Sequence, residues 1–224
     1  MTIRLHFLVE GRTEFNFVNQ ILRPQLEKPT FSTAVSMLTT KRDEKIGRKY
    51  SGGSPSYDKV KREISLFLKN TSVEFRLTTM IDLYKFPEGF SKFDEIKHLP
   101  YERVEKMEKE FYKDFEDQRF IPYIQLHEYE ALLFSNPQKF SEIYENVGTG
   151  IKKLVGLASS RNPEEINDGE QTAPSKRIIR EIPRYEFEKS SSGANVAEHI
   201  GLSEIRKKCL HFRQWLEKLE NLAT

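Results

Sequence analysis

Short β-rich apolar runs alternate with amphipathic helical stretches over the first 135 residues, and this alternation constrains the chain more than any other feature. Residues 3–9, IRLHFLV, form such a run and stop at Glu10-Gly11. Residues 13–26 place Phe15, Phe17, Val18, Ile21, Leu22 and Leu26 on one helical face, with Thr13 as the expected N-cap. A second strand is predicted at 31–38, a helix at 57–69 and a fully buried strand at 76–84 that ends near Asp82. A charged helix follows at 101–117, then a strand at 119–126 despite Pro122, then a helix from 128 to 134 closed by Asn136-Pro137.

Strand and helix in strict alternation predict an α/β fold with a mainly parallel sheet of about four strands flanked by helices. Beyond residue 137 the strand signals stop. Short helices are expected near 137–146, 150–158, 174–182, 193–200 and 202–222, with Trp215, Leu216 and Leu219 facing inward on the last. The expected division is a core over 1–135 and a helical C-terminal extension over 136–224 packed on it.

Sixteen Phe and nine Tyr supply enough apolar volume for a packed core, which excludes a disordered chain. Cys209 is the single cysteine, so neither an intrachain disulfide nor a cysteine-based zinc site is available. The N-terminal apolar run is short and broken by charge, and no stretch reaches the roughly 18 apolar residues of a membrane span. A cytoplasmic protein with no membrane partner is expected.

In an open parallel sheet, ligands bind beyond the carboxyl ends of the strands. Three predicted strands end in acids there: Glu10, Asp82, and the His127-Glu128 pair with Glu130 two residues on. Carboxylates crowded at one edge repel each other unless protons or a cation neutralise them, and hard oxygen ligands suit Mg²⁺ or Mn²⁺. Each acid also has an ordinary alternative. Glu10 fits a solvated turn, Glu14 a first-turn helix acid, Asp82 a loop cap, and His127 and Glu128 a helix cap. No Walker loop, dinucleotide fingerprint, zincin helix or nucleophile elbow is present.

The net charge is only +2, yet residues 41–62 hold eight basic and three acidic side chains. Lys41, Arg42, Lys45, Arg48 and Lys49, with Tyr50 and Tyr57 flanking a Gly-Gly segment, suit a nucleic-acid backbone. A solvated loop is the plain alternative. PSKR at 174–177 places Lys176 and Arg177 near a helix start that Ser175 would cap, a position that favours phosphate.

These residues carry a resemblance. VEGRTEFNFVNQILRP, GGSPSYDKVKREI, TTMIDLYKFP, PYIQLHEYEALLF, NPEEINDGEQTAPSKRI and IGLSEIRKKCLHFRQWLEKL resemble, in order, the blocks of the bacterial domain-of-unknown-function family 4276, which is similar to the Toprim superfamily. The resemblance implies a compact Toprim-like α/β fold of the kind found in topoisomerases, primases and nucleases. It implies that Glu10 is the general acid or base and Asp82 the first aspartate of a metal-binding Asp-x-Asp pair. Tyr84 stands at the second aspartate, so Glu14, Glu128 or Glu130 would complete the Mg²⁺ or Mn²⁺ site. It further implies an ATPase partner and a nuclease effector role in anti-phage defence. The expected function is metal-dependent cleavage of DNA or RNA, with Lys176 or Arg177 on a phosphate oxygen. The alternative is a non-catalytic module that binds nucleic acid or regulates the ATPase.

Overall fold

The computed structural model describes residues 2–39, 41–42, 49–50, 56–84, 86–90, 100–167 and 169–223. Lys45 and Arg48 lie outside these residues. The elements run β1 (Ile3–Val9), α1 (Arg12–Phe17), α2 (Arg23–Leu26), β2 (Phe31–Met37), β3 (Lys41–Arg42), β4 (Lys49–Tyr50), α3 (Tyr57–Leu68), β5 (Phe75–Asp82), α4 (Pro100–Lys113), β6 (Phe120–Ile121) and β7 (Ile124–Gln125). The C-terminal third carries α5 (Gly148–Ser160), α6 (Pro174–Glu181), α7 (Tyr185–Ile200), α8 (Leu202–Lys208) and α9 (Leu210–Glu220).

The main sheet has the order β2-β1-β5-β6, with β7 also paired to β5, and every pairing in it is parallel. The expected α/β architecture is therefore observed. Alternation along each strand feeds two cores. Leu5, Phe7 and Val9 of β1 and Met80 of β5 point into one, with α1, α2 and the C-terminal helices. Leu8 of β1 and Leu77 and Ile81 of β5 point into the other, with α3 and α4. Period-2 side chains apolar on both sides require cover on both faces, which the helices provide.

The local structure departs from the expected elements in several places. The expected strand over 119–126 divides at Pro122, which has no N–H for the ladder. Buried threonines of β5 bridge the gap. Thr78 Oγ1 donates to Ile121 O (2.7 Å), and Thr79 Oγ1 accepts from Tyr123 N–H (3.0 Å). The expected helix over 128–134 is a 3-10 helix, Tyr129–Ser135. The loop expected over 41–56 includes the antiparallel pair β3–β4. Gly11, not Thr13, precedes the first helix, and the Glu14 carboxylate accepts the Gly11 N–H (2.9 Å). Between α1 and α2 the chain widens into a π-turn, Val18–Leu22. α7 starts eight residues before the predicted helix, and the predicted helix over 202–222 breaks at Cys209 into α8 and α9.

The start of α9 is held from a distant turn. Glu164 is fully buried, and its two oxygens accept the N–H groups of Phe212 (2.9 Å) and His211 (2.9 Å). Tyr101 OH adds a third bond to Glu164 (3.1 Å). The carboxylate thus satisfies helix donors that would otherwise be orphaned, and it ties α4, the 163–165 turn and α9 together. Trp215, Leu216 and Leu219 then face inward as expected. Glu164→Ala leaves these buried donors without an acceptor. Urea denaturation is expected to show a loss of about 2–4 kcal/mol, and Glu164→Gln a smaller one.

Candidate functional site

Five carboxylates meet at the carboxyl edge of the sheet. Glu10 follows β1, and its Oε2 accepts the N–H of Asp82, the last residue of β5 (2.9 Å). Asp82 Oδ1 in turn accepts the Tyr129 N–H (3.0 Å), the first N–H of the 3-10 helix. Glu14 comes from the first turn of α1, one turn beyond β1. Glu128 and Glu130 are delivered by a sharp corner after β7. His127 makes that corner in the left-handed backbone region (φ 62°), an uncommon conformation for a side chain with a Cβ. Its carbonyl accepts the Tyr84 N–H (2.7 Å), and its Nδ1 lies 3.0 Å from the Asn167 amide nitrogen.

The C-terminal third completes the site. α6 points its N-terminus at Glu128, whose oxygens accept the Ser175 N–H (2.9 Å) and Oγ–H (3.2 Å). Ser175 therefore sits inside the helix start as a donor to Glu128. The helix cap is Ala173, not Ser175 as the sequence suggested. α7 crosses α1 closely at Gly193, where a Cβ would stand 3.1 Å from the Tyr129 ring and 3.2 Å from Thr13. That approach brings Tyr185 OH to 3.3 Å and Lys189 Nζ to 3.6 Å from Glu130 Oε1. Tyr185 and Lys189 were not singled out from the sequence. Their i, i+4 spacing was the available signal, but the polar KSSSG run hid the helix that carries it.

Glu14, Glu128 and Glu130 are buried, and Glu10 and Asp82 are half-buried. Burial is the main force on their protonation, and mutual repulsion adds to it. Glu10 is pushed up to about 7 by burial, with the Glu128 charge contributing. Glu14 is pushed up to about 8 by burial and by the Glu10 charge. Asp82 lies well above its ordinary range through burial and the charges of Glu14, Glu10, Glu130 and Glu128. Glu130 is also raised by burial, although Lys189 opposes the shift.

The donor set fits a hard divalent cation in kind, being carboxylate oxygen throughout. It is not a preassembled ligand set, because among the described residues no group of three or more His, Cys, Asp or Glu is placed to hold a metal ion. The carboxylates are instead engaged by backbone N–H groups, a serine, a tyrosine and a lysine.

The remaining expected residues lie on α6, on the β3–β4 pair and just past β5. Lys176 is exposed on α6. Arg177 is buried, and its Nε donates to Thr172 O (2.6 Å). Lys41 and Arg42 fall on β3 and Lys49 on β4. Tyr84 is half-buried just past β5. No helix among the described residues is long and apolar enough to cross a membrane.

Fold and site together define an α/β protein with a doubly covered parallel sheet and a carboxylate cluster at its carboxyl edge. A family profile matches residues 9–220, almost the whole chain, and the chain belongs to that family, Domain of unknown function (DUF4276). No curated protein matches it, and no solved structure does.

The raised acids make the metal-free protein depend on pH with a definite sign. A carboxyl whose pKa rises on folding takes up a proton, so its stabilising contribution is complete below the unfolded value, about 4.3 for Glu, and is lost as pH climbs through the folded value. For Glu14 that window runs up to about 8. Each pH unit crossed costs about 1.4 kcal/mol for such a group. In EDTA, Glu14→Gln is therefore expected to melt near wild type at pH 5 and clearly above it at pH 8. A wild type that stays the more stable protein at pH 8 would contradict this.

Proposed function

We propose that the chain is a metal-dependent phosphodiesterase acting on DNA or RNA, with the carboxylate cluster as its centre. The observation that carries this reading is the convergence of Glu10, Glu14, Asp82, Glu128 and Glu130, from separate elements, at the sheet edge where parallel α/β folds bind ligands. The segments that build the cluster, VEGRTEFNF, TTMIDLY and HEYEALLF, lie in the blocks that resemble family 4276, and the likeness of that family to the Toprim superfamily implies roles for Glu10 and Asp82. Asp82 and Glu128, with Glu14 or Glu130, would hold Mg²⁺ or Mn²⁺, and such an ion supplies positive charge against the charge developing on a phosphate.

The chain's own groups do the rest. Glu10, with its pKa near 7, can take a proton from a water or return one to a leaving oxygen at neutral pH. Lys189 sets positive charge beside Glu130. Lys176, exposed on the helix whose N-terminus faces Glu128, is available to a phosphate oxygen. The basic segment over 41–62 would track the nucleic acid. An ATPase partner and a role in anti-phage defence belong to the same reading and rest on the likeness alone.

A second reading is a non-catalytic module that binds nucleic acid or regulates the ATPase. Two observations favour it: Tyr84 stands where a second aspartate would, and no ligand set is preassembled among the described residues.

Cleavage assays separate the two. For the enzyme, wild type with Mn²⁺ is expected to cut single- or double-stranded nucleic acid, and folded Glu10→Gln to cut about 10²–10⁴-fold more slowly. Equal rates would remove Glu10 from the chemistry. A gel shift that is the same in EDTA and in Mn²⁺, without cleavage, would favour the module.

A further inference from the structure

The corner that presents Glu128 and Glu130 is gripped by the segment between the 163–165 turn and α6. His127 makes the corner at φ 62°, a conformation that costs energy for a bulky residue with a Cβ. Two contacts hold it there. On the backbone, His127 O accepts the N–H of Tyr84, just past β5 (2.7 Å). On the side chain, Asn167 Nδ2 lies 3.0 Å from His127 Nδ1.

The direction of the second contact is fixed by the turn that follows Asn167. Asn167 Oδ1 accepts the Gly169 N–H (2.9 Å), so the amide oxygen is committed to the backbone and the amide nitrogen faces the ring. That nitrogen can only donate, so His127 Nδ1 is the acceptor. Gly169 makes the turn at φ 142°, and Thr172 closes it with N–H and Oγ–H bonds to Gly169 O (3.0 and 3.1 Å). At the far end of the segment Ser175 donates its N–H and Oγ–H to Glu128 (2.9 and 3.2 Å). Residues 167–175 therefore grip two consecutive residues of the corner, the His127 ring at one end and the Glu128 carboxylate at the other. Their upstream flank is anchored in turn, because Glu164 is fully buried and bonded to the start of α9.

We propose that Asn167 is a positioning residue for Glu128. By holding the His127 ring it keeps the left-handed corner, and the corner sets where the Glu128 carboxylate stands. The inference rests on the reading of Glu128 as a ligand of the divalent ion, and Asn167 acts on that ligand only through His127. A glycine at position 127 adopts a positive φ without strain and needs no latch. Serine at position 167 keeps a turn-forming oxygen for the Gly169 N–H but is too short to reach the ring.

Wild type is to be compared with Asn167→Ser, His127→Gly and the double variant, each checked for folding by circular dichroism. Two quantities are read: Mn²⁺ affinity by calorimetry, and hydrogen exchange of the Ser175 amide in EDTA. Asn167→Ser is expected to weaken Mn²⁺ binding about ten-fold and to speed exchange at Ser175. His127→Gly is expected to stay near wild type in both, and the double variant to match His127→Gly. A loss that came only from a weakened 167–175 turn would persist in the double variant. Equal Mn²⁺ affinity of Asn167→Ser and wild type, or a double variant as weak as Asn167→Ser, would overturn the proposal. If wild type itself takes no Mn²⁺, the metal reading fails and Ser175 exchange decides the latch. Exchange unchanged in Asn167→Ser, or not restored in the double variant, then overturns it.

Discussion

Five carboxylates cannot all carry charge in one largely buried volume without strong mutual repulsion. The structure around the sheet edge is arranged to hold them there nonetheless. Glu10, Asp82 and Glu14 each accept a backbone N–H, Glu128 accepts two donors from Ser175, and Glu130 meets a tyrosine and a lysine. These bonds favour the charged form, yet burial and repulsion outweigh them for Glu10, Glu14, Asp82 and Glu130. Without a cation, burial and mutual repulsion thus favour the protonated forms of these four acids. Such a cluster costs stability, and this is the physical ground for reading it as functional.

The supports come from distant parts of the chain. The strand ends bring the acids, but the donors that orient Glu128 and Glu130 sit on α6 and α7. Those helices share one apolar core with α1, β1 and α9. Glu164 anchors the start of α9 from 47 or more residues away. The C-terminal third is thus joined to the cluster by both apolar packing and hydrogen bonds. A change on α7, such as filling the space at Gly193, would reach the carboxylates without touching one of them.

The alternation of strand and helix was legible because β1 and β5 are short, apolar runs with sharp acidic ends. Those same ends made Glu10, Asp82 and Glu128 readable as neighbours, since a parallel sheet aligns its carboxyl edges. The fourth strand was expected to run through Pro122, whose missing N–H breaks it, and its repair by Thr78 and Thr79 depends on register, which local pattern does not contain. The capping role of Glu14 was hidden because Thr13 is the better cap by residue type, whereas the turn after Val9 makes Gly11 the boundary. Lys189, Tyr185 and Glu164 act on partners more than 45 residues away. Local periodicity carries no information about such partners. The stacked rings of Tyr123 and Trp215 were invisible for the same reason, since the two residues are far apart in the chain.

The proposed chemistry requires that the carboxylates take a divalent ion. Calorimetric titration of Mn²⁺ at neutral pH into wild type and into folded Asp82→Asn tests this most directly, run in two buffers of different ionisation enthalpy. Binding to wild type is expected with release of protons, because the raised acids must ionise to become ligands, and loss of that binding in Asp82→Asn. Absence of binding in the wild type, or equal binding by the variant, would contradict it.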